Sequence, residues 1–187
     1  MNSLITGAKE SGSPIHTKCF EVLCNITRFP ANNAVLVKHH GFIDILVFGA
    51  ASKIAADRLW ALRAILNLSS DVSGKIVLAN SVVLTLLSGH VTSKNQEEQE
   101  AATAALYNLS TEPGMVITLT NTKNVVATLV SVAHNAETIP SVRLMACDTL
   151  ATIGLWLQTL AGSGTVPDGV EPTPLPSFSP NGWKMWD

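Results

Sequence analysis

The 187-residue chain is 47% apolar and only 14% charged, which excludes a disordered chain, because disorder needs low hydrophobicity and high net charge, and allows a sizeable core. Twelve basic and fourteen acidic residues give a formal charge of −2, so there is no positive field to hold nucleic acid or an anionic membrane surface. No uninterrupted apolar run reaches the roughly 18 residues of a membrane helix; the best stretch, Leu150 to Ala161, is short and contains Gln158.

The first ten residues, Met1 to Glu10, hold no apolar signal region, so a cytoplasmic or nuclear location is expected. Cys19, Cys24 and Cys147 are odd in number and form no CxxC. They read as small core residues in a reducing compartment, not as a disulfide framework or zinc site.

Taken in order, the apolar spacing predicts helices over Ile15–Thr27, Ala34–Lys38, Phe42–Ala51, Ile54–Ser69, Val72–Ala79 and Val82–Val91. A further helix begins after Asn95, and others cover Pro113–Leu119, Val125–Ala133 and Pro140–Leu160. Apolar residues recur at helical spacing, as in Leu59, Leu62, Ile65, Leu66 and in Ala102, Ala105, Leu106, Leu109. Asn95 with Glu98 resembles a capping box, and Pro113 and Pro140 suit first-turn positions. No run with the two-residue period of a strand stands out.

The order short, medium, long recurs, and the long helices carry matching anchors. Phe20-Glu21-Val22-Leu23-Cys24-Asn25-Ile26-Thr27, Leu62-Arg63-Ala64-Ile65-Leu66-Asn67-Leu68-Ser69 and Thr103-Ala104-Ala105-Leu106-Tyr107-Asn108-Leu109-Ser110 align. A fourth, Thr149 to Gly154, places Thr152 where Asn stood. The anchors Asn25, Asn67, Asn108 and Thr152 are spaced 42, 41 and 44 residues apart. A steady period of about 40–47 residues marks a stacked helical-repeat array. The Asn-x-Ser/Thr triplets also satisfy the glycosylation acceptor pattern. They coincide with the anchors inside predicted helices, so glycosylation is not expected.

With three helices per period and the segments Ala61 to Ser69 and Ala101 to Ser110 matching an A-x-x-A-L-x-N-L-S type signature, the chain resembles armadillo-repeat proteins over about residues 15–161. The resemblance implies an all-α fold: a right-handed α-solenoid, incomplete at both ends, in residues 1–162. Residues 163–187 follow as an extended Pro-rich tail. It also implies that the third helices line a concave groove binding an extended peptide or partner protein, with Asn25, Asn67 and Asn108 holding the peptide backbone. Thr152 departs from the pattern. The alternative role for these amides is to bond a neighbouring loop and fix repeat packing.

Positions one and two turns before each anchor share its face. They read Lys18 and Glu21, Trp60 and Arg63, Ala101 and Ala104, Met145 and Asp148. Nuclear-import receptors of the resembled family place Trp four residues before the Asn, beside acidic residues. Trp60 lies one turn off that position, so a basic import peptide is disfavoured. Trp60 reads equally as core or as an exposed anchor, and Arg63 as a groove cation.

The array enters late, on a third helix, so its first long helix shows an apolar flank unless Leu4, Ile5 and Ala8 fold over it. Self-association through that end is a second expectation, as is membership of a longer array. The tail holds five of nine prolines and ends in Trp183 and Trp186. Those two residues are its expected anchors, on its own solenoid, on another copy or on a separate protein.

No Gly-rich phosphate loop, HExxH or GxSxG occurs, and His16, His39, His40, His90 and His134 are scattered. Asp57, Asp71, Asp148 and the Glu97–Glu100 cluster read as solvated or helix-start charges. A noncatalytic protein without cofactor or metal is expected. Its function would be to bind protein or, alternatively, to stack as a structural subunit.

Overall fold

A computed structural model describes residues 1–10 and 15–161. Among them every regular element is helical, as the spacing predicts. The elements are α1 (Asn2–Lys9), α2 (His16–Thr27), α3 (Pro30–Leu36), α4 (Phe42–Ala50), α5 (Ala55–Ser69), α6 (Val72–Leu78), α7 (Ser81–Val91), α8 (Gln96–Ser110), α9 (Val116–Asn121, preceded by a 3₁₀ turn at Pro113–Met115), α10 (Val125–His134) and α11 (Pro140–Ala161). Helix α3 starts one turn before the expected Ala34, because Pro30 pre-sets the backbone at its first turn.

The long helices stack in file: α2 packs on α5, α5 on α8, and α8 on α11. Two of the intervening short–medium pairs bend sharply, by 94° between α6 and α7 and by 89° across α9 and α10. Asn80 makes the first bend by capping α7, its Oδ1 accepting from Val83 N at 2.9 Å. The equivalent turns before α4 and α10 use left-handed residues instead, Gly41 at φ 79° and Asn124 at φ 69°. Glycine, and Asn more than other side chains, tolerates that conformation.

The core runs through the stack as a continuous layer, including Phe20, Leu23, Phe42, Leu62, Ile65, Leu84, Leu106, Leu129 and Val142. Backbones approach closely where α6 crosses the end of α5. A Cβ on Gly74 would lie 1.8 Å from the Leu68 carbonyl oxygen. The N-terminal flank that the sequence left open is closed by α1, which packs on α2 and α4 and buries Ile5 and Ala8.

Two carboxylates read as solvated or helix-start charges do stand in first turns, but they are buried and tie the units together. Asp57, at the start of α5, accepts from Thr17 Oγ1 (2.6 Å) and Ser52 Oγ (2.9 Å) and lies 2.9 Å from His16 Nε2. His16 is itself buried, edge-on to Phe20. Forty-one residues on, Glu98 occupies the matching place in α8. It accepts from Arg58 Nε and Ser93 Oγ, each at 2.9 Å, and lies 3.2 Å from His90 Nδ1. Only half of the expected capping box therefore forms. Asn95 caps the N–H groups of Glu97 and Glu98, while the Glu98 carboxylate turns inward to these buried partners.

Helix α11 overturns the expectation drawn from apolar runs. At 22 residues, with a mean hydropathy of 1.3 over its most apolar window, it is long and apolar enough to cross a membrane. The bent pairs α6–α7 and α9–α10 meet the same measure if each is counted as one span. Packing uses only part of that apolarity: Val142, Ala146, Thr149 and Ile153 are buried in a helix that packs on α8 and α10, while Leu144, Leu157 and Leu160 are exposed.

Candidate functional site

The long helices present the anchor residues unit by unit. Asn25 is exposed on α2, whereas Asn67 and Asn108 are half-buried. Asn67 Nδ2 donates to Thr27 Oγ1 at 3.1 Å and to the Cys24 carbonyl at 3.3 Å. Asn108 Nδ2 donates to Ser69 Oγ at 3.0 Å. Each accepting hydroxyl in turn donates into its own helix, Thr27 to Cys24 O and Ser69 to Leu66 O, both at 2.7 Å. The triplet is thus a clip: the amide of one unit grips the hydroxyl of the unit before it. Of the two roles open to these amides, the structure shows the packing bond through Nδ2. Their side-chain oxygens are not committed to the clip. At the fourth anchor, the Thr152 hydroxyl bonds back to Asp148 O within α11.

The sequence reading takes the Asn of each repeated triplet as the site residue and passes over its hydroxyl, Thr27 or Ser69. The signal is the repeat of the triplet itself: each Asn meets the hydroxyl one period upstream, 40 and 39 residues away.

Trp60 and Arg63 come together one to two turns before Asn67. The Arg63 guanidinium sits 5.2 Å from the centre of the Trp60 ring, a cation–π distance. It also lies 3.5 Å from the Glu97 carboxylate of α8. Trp60 is half-buried, one edge on the core. Glu97, read as a helix-start charge, is therefore a third member of this cluster. On the neighbouring unit Lys18 pairs with Glu21 at 2.8 Å, largely in solvent.

Across α8 and α11 the face continues through Ala104, Tyr107 and Asp148, all half-buried. Burial, reinforced by Asp148, raises the Tyr107 hydroxyl above its ordinary pKa. The result is a strip of alternating sign with two aromatics and a small residue between them. Asn25 stands apart from the Trp60 cluster, one unit away. Trp183 and Trp186, the expected tail anchors, lie outside the described residues.

The cysteines divide. Cys19 and Cys24 are buried as expected, and burial pushes the Cys24 thiol up to about 11. Cys147 is exposed on α11, contrary to the expectation of a core position.

No protein family's sequence model matches the chain, and no curated protein matches it. Solved structures do. An engineered protein from the Northeast Structural Genomics Consortium, target OR329, superposes with a TM-score of 0.71 at 20% identity, over 87% of this chain and 67% of its own. A second engineered protein, target OR497, gives 0.70 at 20% identity, over 87% of this chain and 40% of its own. A third, target OR366, gives 0.71 at 18% identity, over 87% of this chain and 68% of its own. At these identities the likeness is one of fold, and the fold shared is all-helical.

Proposed function

We propose that the stack is a right-handed armadillo-type solenoid. It acts as a noncatalytic scaffold, binding an extended peptide or partner protein on the concave face of α2, α5, α8 and α11. The reading rests on the recurrent anchor, the right-angle bends and the file of long helices. The single observation that carries it is the Trp60–Arg63–Glu97 cluster beside the clipped Asn67 and Asn108. There a half-buried aromatic and a paired cation lie next to amide oxygens left for a ligand. Both ion pairs on this face are internally matched, so the ligand is held by an apolar or aromatic side chain on Trp60 and by backbone hydrogen bonds. Charge steering is not its basis. The cytosol or nucleus is the proposed place of action.

Selection from a random peptide library tests this, with affinities measured by titration calorimetry. Ala104→Arg fills the strip without entering the clips. It should weaken selected peptides by at least about tenfold, or about 1.4 kcal/mol, with thermal unfolding unchanged. Peptides that bind this variant as well as the native chain would remove the groove reading.

The second reading, a structural subunit that stacks end to end, is favoured by the bare flank of α11. It requires concentration-dependent association. A monomer by sedimentation up to about 50 μM would end it.

A further inference from the structure

At the joint between α5 and α8, Arg58 reaches from one unit to Glu98 of the next, its Nε 2.9 Å from the carboxylate. One period on, at the joint between α8 and α11, the anchors align Arg58 with Gln99 and Glu98 with Val142, so no such bridge can form. Gln99 instead turns back into its own unit, its Nε2 donating to the Val91 carbonyl at 2.9 Å. Beside it, between the α7–α8 and α10–α11 corners, lies a cleft of about 270 Å³ lined mainly by polar side chains, at the small end of the range for ligand sites. Two of the lining residues, Gln99 and Thr138, are more than nine-tenths buried. Among the described residues Gln99 Oε1 and Thr138 Oγ1 have no hydrogen-bond partner, which is uncommon for residues so buried. Lys94 comes to the cleft from the first corner and Glu137 from the second. Both are exposed, and they pair neither with each other nor with another described residue.

We propose that this cleft binds a free α-amino acid, whose two charges supply across the α8–α11 joint the bridge that Arg58 and Glu98 supply one unit earlier. None of the lining residues belongs to the Trp60 strip, so the inference is independent of what the concave face binds. The groups present select the class of ligand. Gln99 Oε1 can only accept, so the ligand must donate to it. An ammonium offers three N–H groups, enough for Gln99 Oε1 and the Glu137 carboxylate together. A carboxylate only accepts, and Lys94 and the Thr138 hydroxyl are its donors. A lone anion leaves Gln99 Oε1 and Glu137 without a donor. A lone cation leaves Lys94 without an acceptor, and a neutral amide or sugar answers neither charge. The small volume admits a short side chain, for which Val132 and Ile139 are the apolar lining.

Titration calorimetry of the full chain with each of the twenty L-amino acids tests this. At least one with a small aliphatic side chain should bind with a Kd below about 1 mM. Its N-acetyl derivative and its primary amide each lack one charge, and each should bind at least about tenfold more weakly. Thr138→Val removes a hydroxyl that bonds nothing else in the fold, and Lys94→Gln alters an exposed side chain, so thermal unfolding should be unchanged in both. Thr138→Val should weaken the ligand about tenfold and Lys94→Gln about threefold. Binding by none of the twenty at about 5 mM would overturn the proposal, as would derivatives that bind as tightly as the parent amino acid. Unchanged affinity in both variants would put the ligand at another place on the molecule and overturn it too.

Discussion

A clip made of one amide and one hydroxyl is a small interaction with a definite sign. Removing it by Asn67→Ala leaves Thr27 still bonded to Cys24 O, so no polar group is stranded. The expected loss is that of two neutral hydrogen bonds, to Thr27 Oγ1 and to the Cys24 carbonyl, about 1–3 kcal/mol in all, read as a lower urea midpoint. In the pair Asn108 and Ser69, a double-mutant cycle should return a coupling of about 0.5–1 kcal/mol. Zero coupling would mean that the 3.0 Å contact adds nothing. Cys24 gives a second residue-scale prediction. Its thiol is raised in the fold to about 11 from 9.0, so the folded chain keeps a proton that the unfolded chain releases first. Its contribution is complete below pH 9.0 and is lost as pH rises towards about 11. Relative to Cys24→Ala, the native chain should lose stability over that window, measured by urea unfolding at stepped pH.

At the scale of the helix, two glycines separate packing from propensity. Gly74 of α6 is pressed on the Leu68 carbonyl, so Gly74→Ala forces the α5–α6 corner apart; the expected cost is about 3 kcal/mol or more. Gly89 of α7 has open space where a Cβ would go. Gly89→Ala should therefore stabilise by about 0.5–1 kcal/mol through helix propensity. Thermal melts of the two variants should move in opposite directions. Glu98 belongs at this scale too, since it joins α8 to Arg58 of α5 and His90 of α7. Glu98→Ala removes the carboxylate that both face, while Arg58 keeps the Ser52 and Lys53 carbonyls and His90 the Ala50 carbonyl, so the expected loss is about 1.5–3 kcal/mol. Much of the helical layout was legible because apolar spacing and anchors repeat. Phe42, Val72 and Val125 begin helices as expected. The buried acids were not legible. An acid in a first turn has a sufficient local explanation, and the groups that hold Asp57 and Glu98 inside include residues about forty positions away. The same distance hid the clip, whose two halves sit in different repeats.

At the scale of the whole described molecule, the four long helices meet at three successive joints, α2 on α5, α5 on α8 and α8 on α11. The joints are not alike. Two carry an amide clip, Asn67 to Thr27 and Asn108 to Ser69; the third, between α8 and α11, has Thr152 bonded within its own helix and is crossed instead by an exposed bond from Ser141 Oγ to the Glu100 carboxylate at 3.1 Å. For a chain tethered at both ends and drawn out slowly, that difference sets an order of rupture. The α10–α11 pair should peel away first and at the lowest force, followed by the clipped units one after another. A Thr at a single anchor would thus act as a mechanical fuse, shedding the last unit while the remainder keeps its grip.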